Sequence, residues 1–203
     1  MHGLVLLRNL CGVLLCAAVL AARADEIVVR EAQLSTTDEG LVLDADFDFA
    51  LKPRLAEAVA GGVPLYFVVE FELARQRWWW FDEKAAAKRN QLRLSYHPLS
   101  RQYRLSTGML NQHFSTLEEA LQVLRRVRNW LVAERGATSA ETQYDAAVRM
   151  RLDVSMLPKP FQVSAITSRD LHQESPWMRF PFRTPAATPA PVESREPKEA
   201  GSR

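Results

Sequence analysis

The sequence predicts a mostly β domain with two helices, built as an antiparallel β-sandwich or as a curved sheet covered by helices. Three observations lead there. Apolar residues recur at a period of two along several stretches, the signature of half-buried strands. Only two segments carry helix start and stop signals. The stretches are joined by short turn sequences, which suit antiparallel neighbours. Six or seven such strands with two inserted helices favour the sandwich, with an α+β arrangement as the alternative.

In chain order, residues 27–34 form a first strand, and Asp38-Glu39-Gly40 is a turn signal. Leu41, Leu43, Ala45, Phe47, Phe49 and Leu51 then share one face, with Asp44, Asp46 and Asp48 on the other. Pro53 opens a short helix that Gly61-Gly62 stops at residue 60. Leu65, Phe67, Val69, Phe71 and Leu73 make the next strand, although Tyr66 and Val68 give its opposite face an apolar start. A hairpin follows, with Leu92, Leu94 and Tyr96 on one arm, a turn at residues 97–100, and Tyr103, Leu105 and Thr107 on the other.

Thr116 and Glu119 stand at capping-box spacing and open a long helix predicted to run to about Glu134 before Gly136. Its apolar stripe is Leu117, Ala120, Leu121, Leu124, Val127 and Leu131. Arg128 falls inside that stripe, where it snorkels past a sheet edge or pairs with a strand acid; an anion-binding point is the other use. Alternation returns from Tyr144 to Met156, and residues 161–166 read as a weaker last strand. The aromatic, proline-broken run at 175–182 reads as an extended strap over the domain.

Both termini differ from this middle. Arg8, an uncharged apolar run at 10–22 and Ala22-Arg23-Ala24 compose a secretory leader with cleavage after Ala24. Its thirteen apolar residues reach about 20 Å as a helix, short of the roughly 30 Å hydrocarbon core. Cys11 and Cys16 leave with the leader, so the mature chain has no disulfide, thiol nucleophile or cysteine-ligated metal. Losing Arg8 and Arg23 also brings the 26 Lys and Arg level with the 24 Asp and Glu. A neutral chain has no long-range field for polyanions, and nucleic acid is not an expected partner. Residues 25–182 make one domain, and residues 183–203, with Pro185, Pro189, Pro191 and Pro197, are too poor in large apolar residues to be expected to fold.

The order of several small features resembles domain-of-unknown-function family 4390. They include Leu55, Ala58 and Val59 running into Gly62-Val63-Pro64-Leu65, then Trp78-Trp79-Trp80-Phe81-Asp82, Tyr96, Leu99 and Tyr103. Phe114, Ala120-Leu121, Leu152-Asp153, Leu157-Pro158-Lys159-Pro160 and Trp177 follow. The resemblance implies a secreted protein of proteobacteria with no assigned activity. It also implies a gene neighbourhood that includes a membrane sensor histidine kinase, and it offers no site residues to carry over.

The strongest binding candidates are Trp78, Trp79 and Trp80 with Arg75 and Arg77. In an extended segment successive aromatics point to opposite faces, so one pair packs on the core edge or stands free as a platform. Trp with Arg suits a protein interface, and Trp alone also suits a membrane surface. His97, His113 and His172 lack any two-ligand spacing, and Asp44, Asp46 and Asp48 lie about 6.8 Å apart on one strand face without converging. No catalytic motif, metal set or cofactor loop is present in the sequence. The expected function is therefore a non-catalytic interaction module of the periplasm, bound to an envelope or inner-membrane protein such as a sensor kinase. An apolar small-molecule or lipid carrier is the alternative, and it requires an apolar pocket of about 300 Å³ or more.

Overall fold

The computed structural model describes residues 26–75, 83–167 and 169–186. Its strands are β1 (Val28–Thr36), β2 (Gly40–Asp48), β3 (Leu65–Arg75), β4 (Glu83–His97), β5 (Gln102–Thr107), β6 (Leu110–Phe114), β7 (Arg126–Glu134), β8 (Gln143–Leu152) and β9 (Met178–Arg183). The helices are α1 (Pro53–Ala60), α2 (Leu117–Leu124) and α3 (Lys159–Thr167), with 3-10 turns at Val154–Met156 and Arg169–Leu171.

Two antiparallel sheets result, one in the order β1-β2-β7 and one in the order β6-β5-β4-β3-β8-β9. Their facing sides hold one core, with Leu43, Ala45 and Phe47 from the small sheet and Phe67, Phe71, Leu94, Val148 and Met150 from the large one. β4 approaches β7, and β1 approaches β8, across that core. Six strands facing three leave the large sheet overhanging on both sides. Helix α2 lies in one overhang against β5, β6 and β7, while α1 packs on β4 and the Arg169–Leu171 turn.

Local chemistry explains most elements. Pro53 starts α1, and the N–H groups of Gly61 and Gly62 close it on Glu57 O and Val59 O. At α2 the Thr116 hydroxyl accepts from Glu119 N–H at 3.2 Å, while the Glu119 carboxylate accepts from Thr116 N–H at 3.2 Å.

Four expectations are corrected. The long helix stops at Leu124, and residues 126–134 form β7 instead. The carbonyl of Arg125 accepts from Phe47 N–H at 2.8 Å, so β2 captures the chain just where a helix would have continued. Val127, Trp130 and Val132 favour a strand once β2 offers an edge, and Asn129 adopts φ +50°, which a helix interior does not accept. Arg128 thus sits on a strand. Its guanidinium donates to Asp46 Oδ1 at 2.5 Å and to Ala45 O at 3.1 Å.

Residues 161–166 lie within α3 and not in a strand. Pro160 falls in the first turn, and the Pro158 carbonyl accepts from Phe161 N–H and Gln162 N–H. The strand at 144–156 ends at Leu152, because Asp153 caps the following 3-10 turn through Ser155 N–H. Lastly, the expected strap enters the sheet as β9, paired with β8 from Met178↔Val148 to Arg183↔Gln143. Strand β6 was not expected as an element at all; it pairs with β5 around the turn at Gly108.

Candidate functional site

The sequence-selected site lies mostly outside the described residues. This holds for Arg77, Trp78, Trp79 and Trp80, while Arg75 closes β3 as an exposed residue paired in register with Glu83. The histidines do not gather: His97 and His113 are exposed on β4 and β6, and His172 Nε2 lies 2.8 Å from Ala165 O. Asp46 and Asp48 face Arg128 and Arg30 in ion pairs, and Asp44 accepts from Asn129 N–H at 2.8 Å. Among the described residues no three acidic or histidine side chains cluster as a metal set would.

The most organised polar feature is elsewhere, on the outer face of the six-stranded sheet. β3 alternates Phe67, Val69 and Phe71 inward with Tyr66, Val68, Glu70 and Glu72 outward. Register then places Arg89 and Arg149 on either side of Glu70, with Gln91 and Arg151 beside Val68. Glu70 is only 5% exposed, an unusual position for a carboxylate. Its Oε2 accepts from Arg149 at 2.6 Å, and its Oε1 faces Arg89 at 3.1 Å and Arg151 at 3.4 Å.

Burial pushes the Glu70 carboxyl pKa up, but the hydrogen bonds and positive charge of Arg149 and Arg151 more than reverse this, leaving it below the usual carboxylate value. Glu70 is therefore an ionised anchor at neutral pH, unsuited to proton transfer. Arg149 is held a second time, under the ring of Trp177 at 4.6 Å. Val68 is 5% exposed although it points outward, flanked in register by the long side chains Gln91 and Arg151.

Beyond this centre the face stays basic. Arg93 stands over the Tyr66 ring at 5.8 Å, Arg104 donates to Asn111 Oδ1 at 3.1 Å, and Arg179 is exposed on β9. The carboxylates on the same face are Glu70, Glu72, Asp145 and Glu174, the last opposite Arg151, and they are fewer than the arginines. Arg89, Gln91, Arg93, Arg179 and Pro181 are all exposed, so no layer covers this side among the described residues. Arg89 and Arg149 could have been found in the sequence only by knowing which strands flank β3.

Two clefts open where the large sheet overhangs the small one. One, of about 770 Å³, lies between β1 and β9 and is lined by Val28, Val29, Phe49, Pro176, Trp177 and Met178 among others. The other, of about 420 Å³, lies between the inner face of β4-β5-β6 and the α2–β7 junction. Both exceed the volume the carrier alternative requires.

No helix among the described residues is long and apolar enough to cross a membrane. No curated protein and no solved structure matches the chain. The family comparison does match, over residues 24–181, and the chain belongs to the family described as domain of unknown function (DUF4390).

Proposed function

We propose that this protein is an exported, non-catalytic interaction module, and that the arginine-rich outer face of its six-stranded sheet docks an acidic partner protein. The leader-like N-terminus supports export to the periplasm, where a disulfide-free domain meets envelope proteins and no nucleic acid. The single observation that carries the reading is the sheet face, uncovered among the described residues, on which Arg89, Arg93, Arg104, Arg149, Arg151 and Arg179 outnumber Glu70, Glu72, Asp145 and Glu174.

Arginine held flat by carboxylates and aromatic rings loses little freedom on docking and offers forked donors to a partner's carboxylates. Trp and Tyr beside arginine are the residue types that dominate interface energetics. A membrane surface suits the face less well. Among the described residues the exposed large apolar side chains are Val28, Leu99, Met109, Leu110, Met156 and Val163, and none of these projects from the outer side of the large sheet as a wedge for a bilayer. The partner class implied by the family resemblance is the extracytoplasmic part of a sensor histidine kinase.

The test is in-cell photo-crosslinking from Gln91, at the centre of the face. One recurrent envelope protein, lost when Arg89 and Arg93 are both changed to Glu, is the expected result. Crosslinks that survive this charge reversal, or that trap lipid, overturn the reading.

A further inference from the structure

We infer that the 420 Å³ cleft between the two sheets binds an anionic amphiphile with a single acyl chain. The site is separate from the outer sheet face, on the opposite side of the large sheet, and does not depend on what docks there. The floor is apolar: Leu92, Leu105 and Leu110 from β4, β5 and β6 face Val123 of α2 and Val127 of β7. Its volume falls within the range of small-molecule sites, roughly 300–1,000 Å³.

The rim is cationic, and one of its two guanidiniums is uncommitted. Arg126 lines the cleft and, among the described residues, has no ion-pair or side-chain hydrogen-bond partner. Arg128 stands beside it, 46% exposed and paired to Asp46. Asn90, Gln112 and Gln122 line the same opening. No carboxylate lines it. Charge and polarity together select a ligand with an apolar tail and a carboxylate or phosphate head.

An added strand from another protein fits the cleft less well. Among the described residues β7 is an edge strand, but register shifts and the positive φ of Asn129 break it near Arg128, and such a bulge blocks continuous pairing. The exposed tip formed by Met109 and Leu110, 97% and 72% exposed, instead extends the apolar floor outward along the path of a chain longer than the cleft.

Isothermal titration of the full chain with decanoate, dodecanoate and dodecyl phosphate, against dodecanol and dodecylammonium, tests the assignment. Saturable one-to-one binding of the anionic ligands is expected, rising about fourfold per methylene while the chain remains in the cleft. Whichever of dodecanoate and dodecyl phosphate binds tighter identifies the headgroup source. Arg126→Glu should weaken binding at least about tenfold, as should Thr107→Trp, which fills the cleft from β5, whereas Arg54→Ala on the exposed side of α1 should leave ligand affinity unchanged. Val123→Trp replaces Thr107→Trp if thermal melting shows that the latter misfolds. Absence of saturable binding, equal binding of dodecanol or dodecylammonium, or indifference to cleft filling each overturns the inference.

Discussion

The guanidinium of Arg149 lies 2.6 Å from the carboxylate of Glu70, a residue that faces away from the core yet is almost completely screened from water. The pair joins β3 to β8 in the middle of the large sheet, and Arg89 ties the same carboxylate to β4. A partly buried charge with three cationic neighbours is costly to break from one side, because the arginines remain. Glu70→Gln keeps the shape and one acceptor while removing the charge. We expect it to lower unfolding stability by about 2 kcal/mol, read as a reduced urea midpoint at unchanged slope.

The same residue gives a pH signature. Its folded pKa lies below the ordinary value of 4.5, so its contribution is complete above that value and is lost as pH falls through the folded pKa. The stability gap between the native chain and Glu70→Gln should thus hold at neutral pH and narrow only on acidification below about pH 4.5. A gap that stays constant down to strongly acidic pH would mean that the arginines do not favour the ionised form.

Much of the fold was legible because it is written locally. Alternation located β2, β3 and β8, Pro53 with Gly61-Gly62 bounded α1, and the capping box placed the start of α2 at its observed position. Failures arose where distant partners decide. Leu117 to Leu131 fits a helical stripe throughout, but β2 presents open backbone groups that residues 126–134 satisfy as a strand. Phe161, Val163 and Ala165 alternate like a strand, yet the Leu157 carbonyl accepts from the Gln162 side chain and the turn closes as a helix. The Glu70 cluster was invisible for the same reason. Glu70, Arg89 and Arg149 are far apart in the chain, and nothing but the order β4-β3-β8 brings them together.

The β2–β7 pairing has a sensitive point at Gly40. Its φ of +145° is one that side chains rarely adopt, and a Cβ there would lie 2.1 Å from the Ala133 carbonyl oxygen. Backbone cannot retreat as a side chain would. Gly40→Ala should cost more than about 3 kcal/mol and raise hydrogen exchange first in β7. Were residues 126–134 helical, the clash with Ala133 would vanish, leaving only the strain of φ +145°, and exchange would not rise first at residues 126–134.

Arg125 marks the switch from helix to strand. Its Nε donates to Phe49 O at 2.9 Å, its Nη1 lies 2.7 Å from Glu118, and its guanidinium stands 5.5 Å from the Phe49 ring centre. The two contacts with Phe49 thus tie the end of α2 to the segment after β2, while Glu118, within α2, holds the guanidinium in place. Arg125→Ala should destabilise the chain by about 1–2 kcal/mol, whereas Arg125→Lys, which keeps charge but loses the planar fork, should recover less than half. Urea titrations of the two variants measure both quantities, and full recovery by lysine would reduce the contact to simple charge.

Trp177 tests whether the outer face is held in a fixed arrangement. Its ring lies over Arg149 and also lines the groove between β1 and β9, so it fastens an edge strand to the central ion cluster. A cation over an indole contributes about 1 kcal/mol when partly desolvated, and Arg149 is 29% exposed. In a double-mutant cycle, Trp177→Ala and Arg149→Ala should therefore couple by about 0.5–1 kcal/mol in stability. Because Trp177 immediately precedes β9, its loss should also speed amide exchange at Met178–Arg183 more than in β3. Additive single effects with unaltered exchange would leave the stacking without energetic weight. The arginines of this face would then be free to move, and the preorganised docking surface would lose its basis.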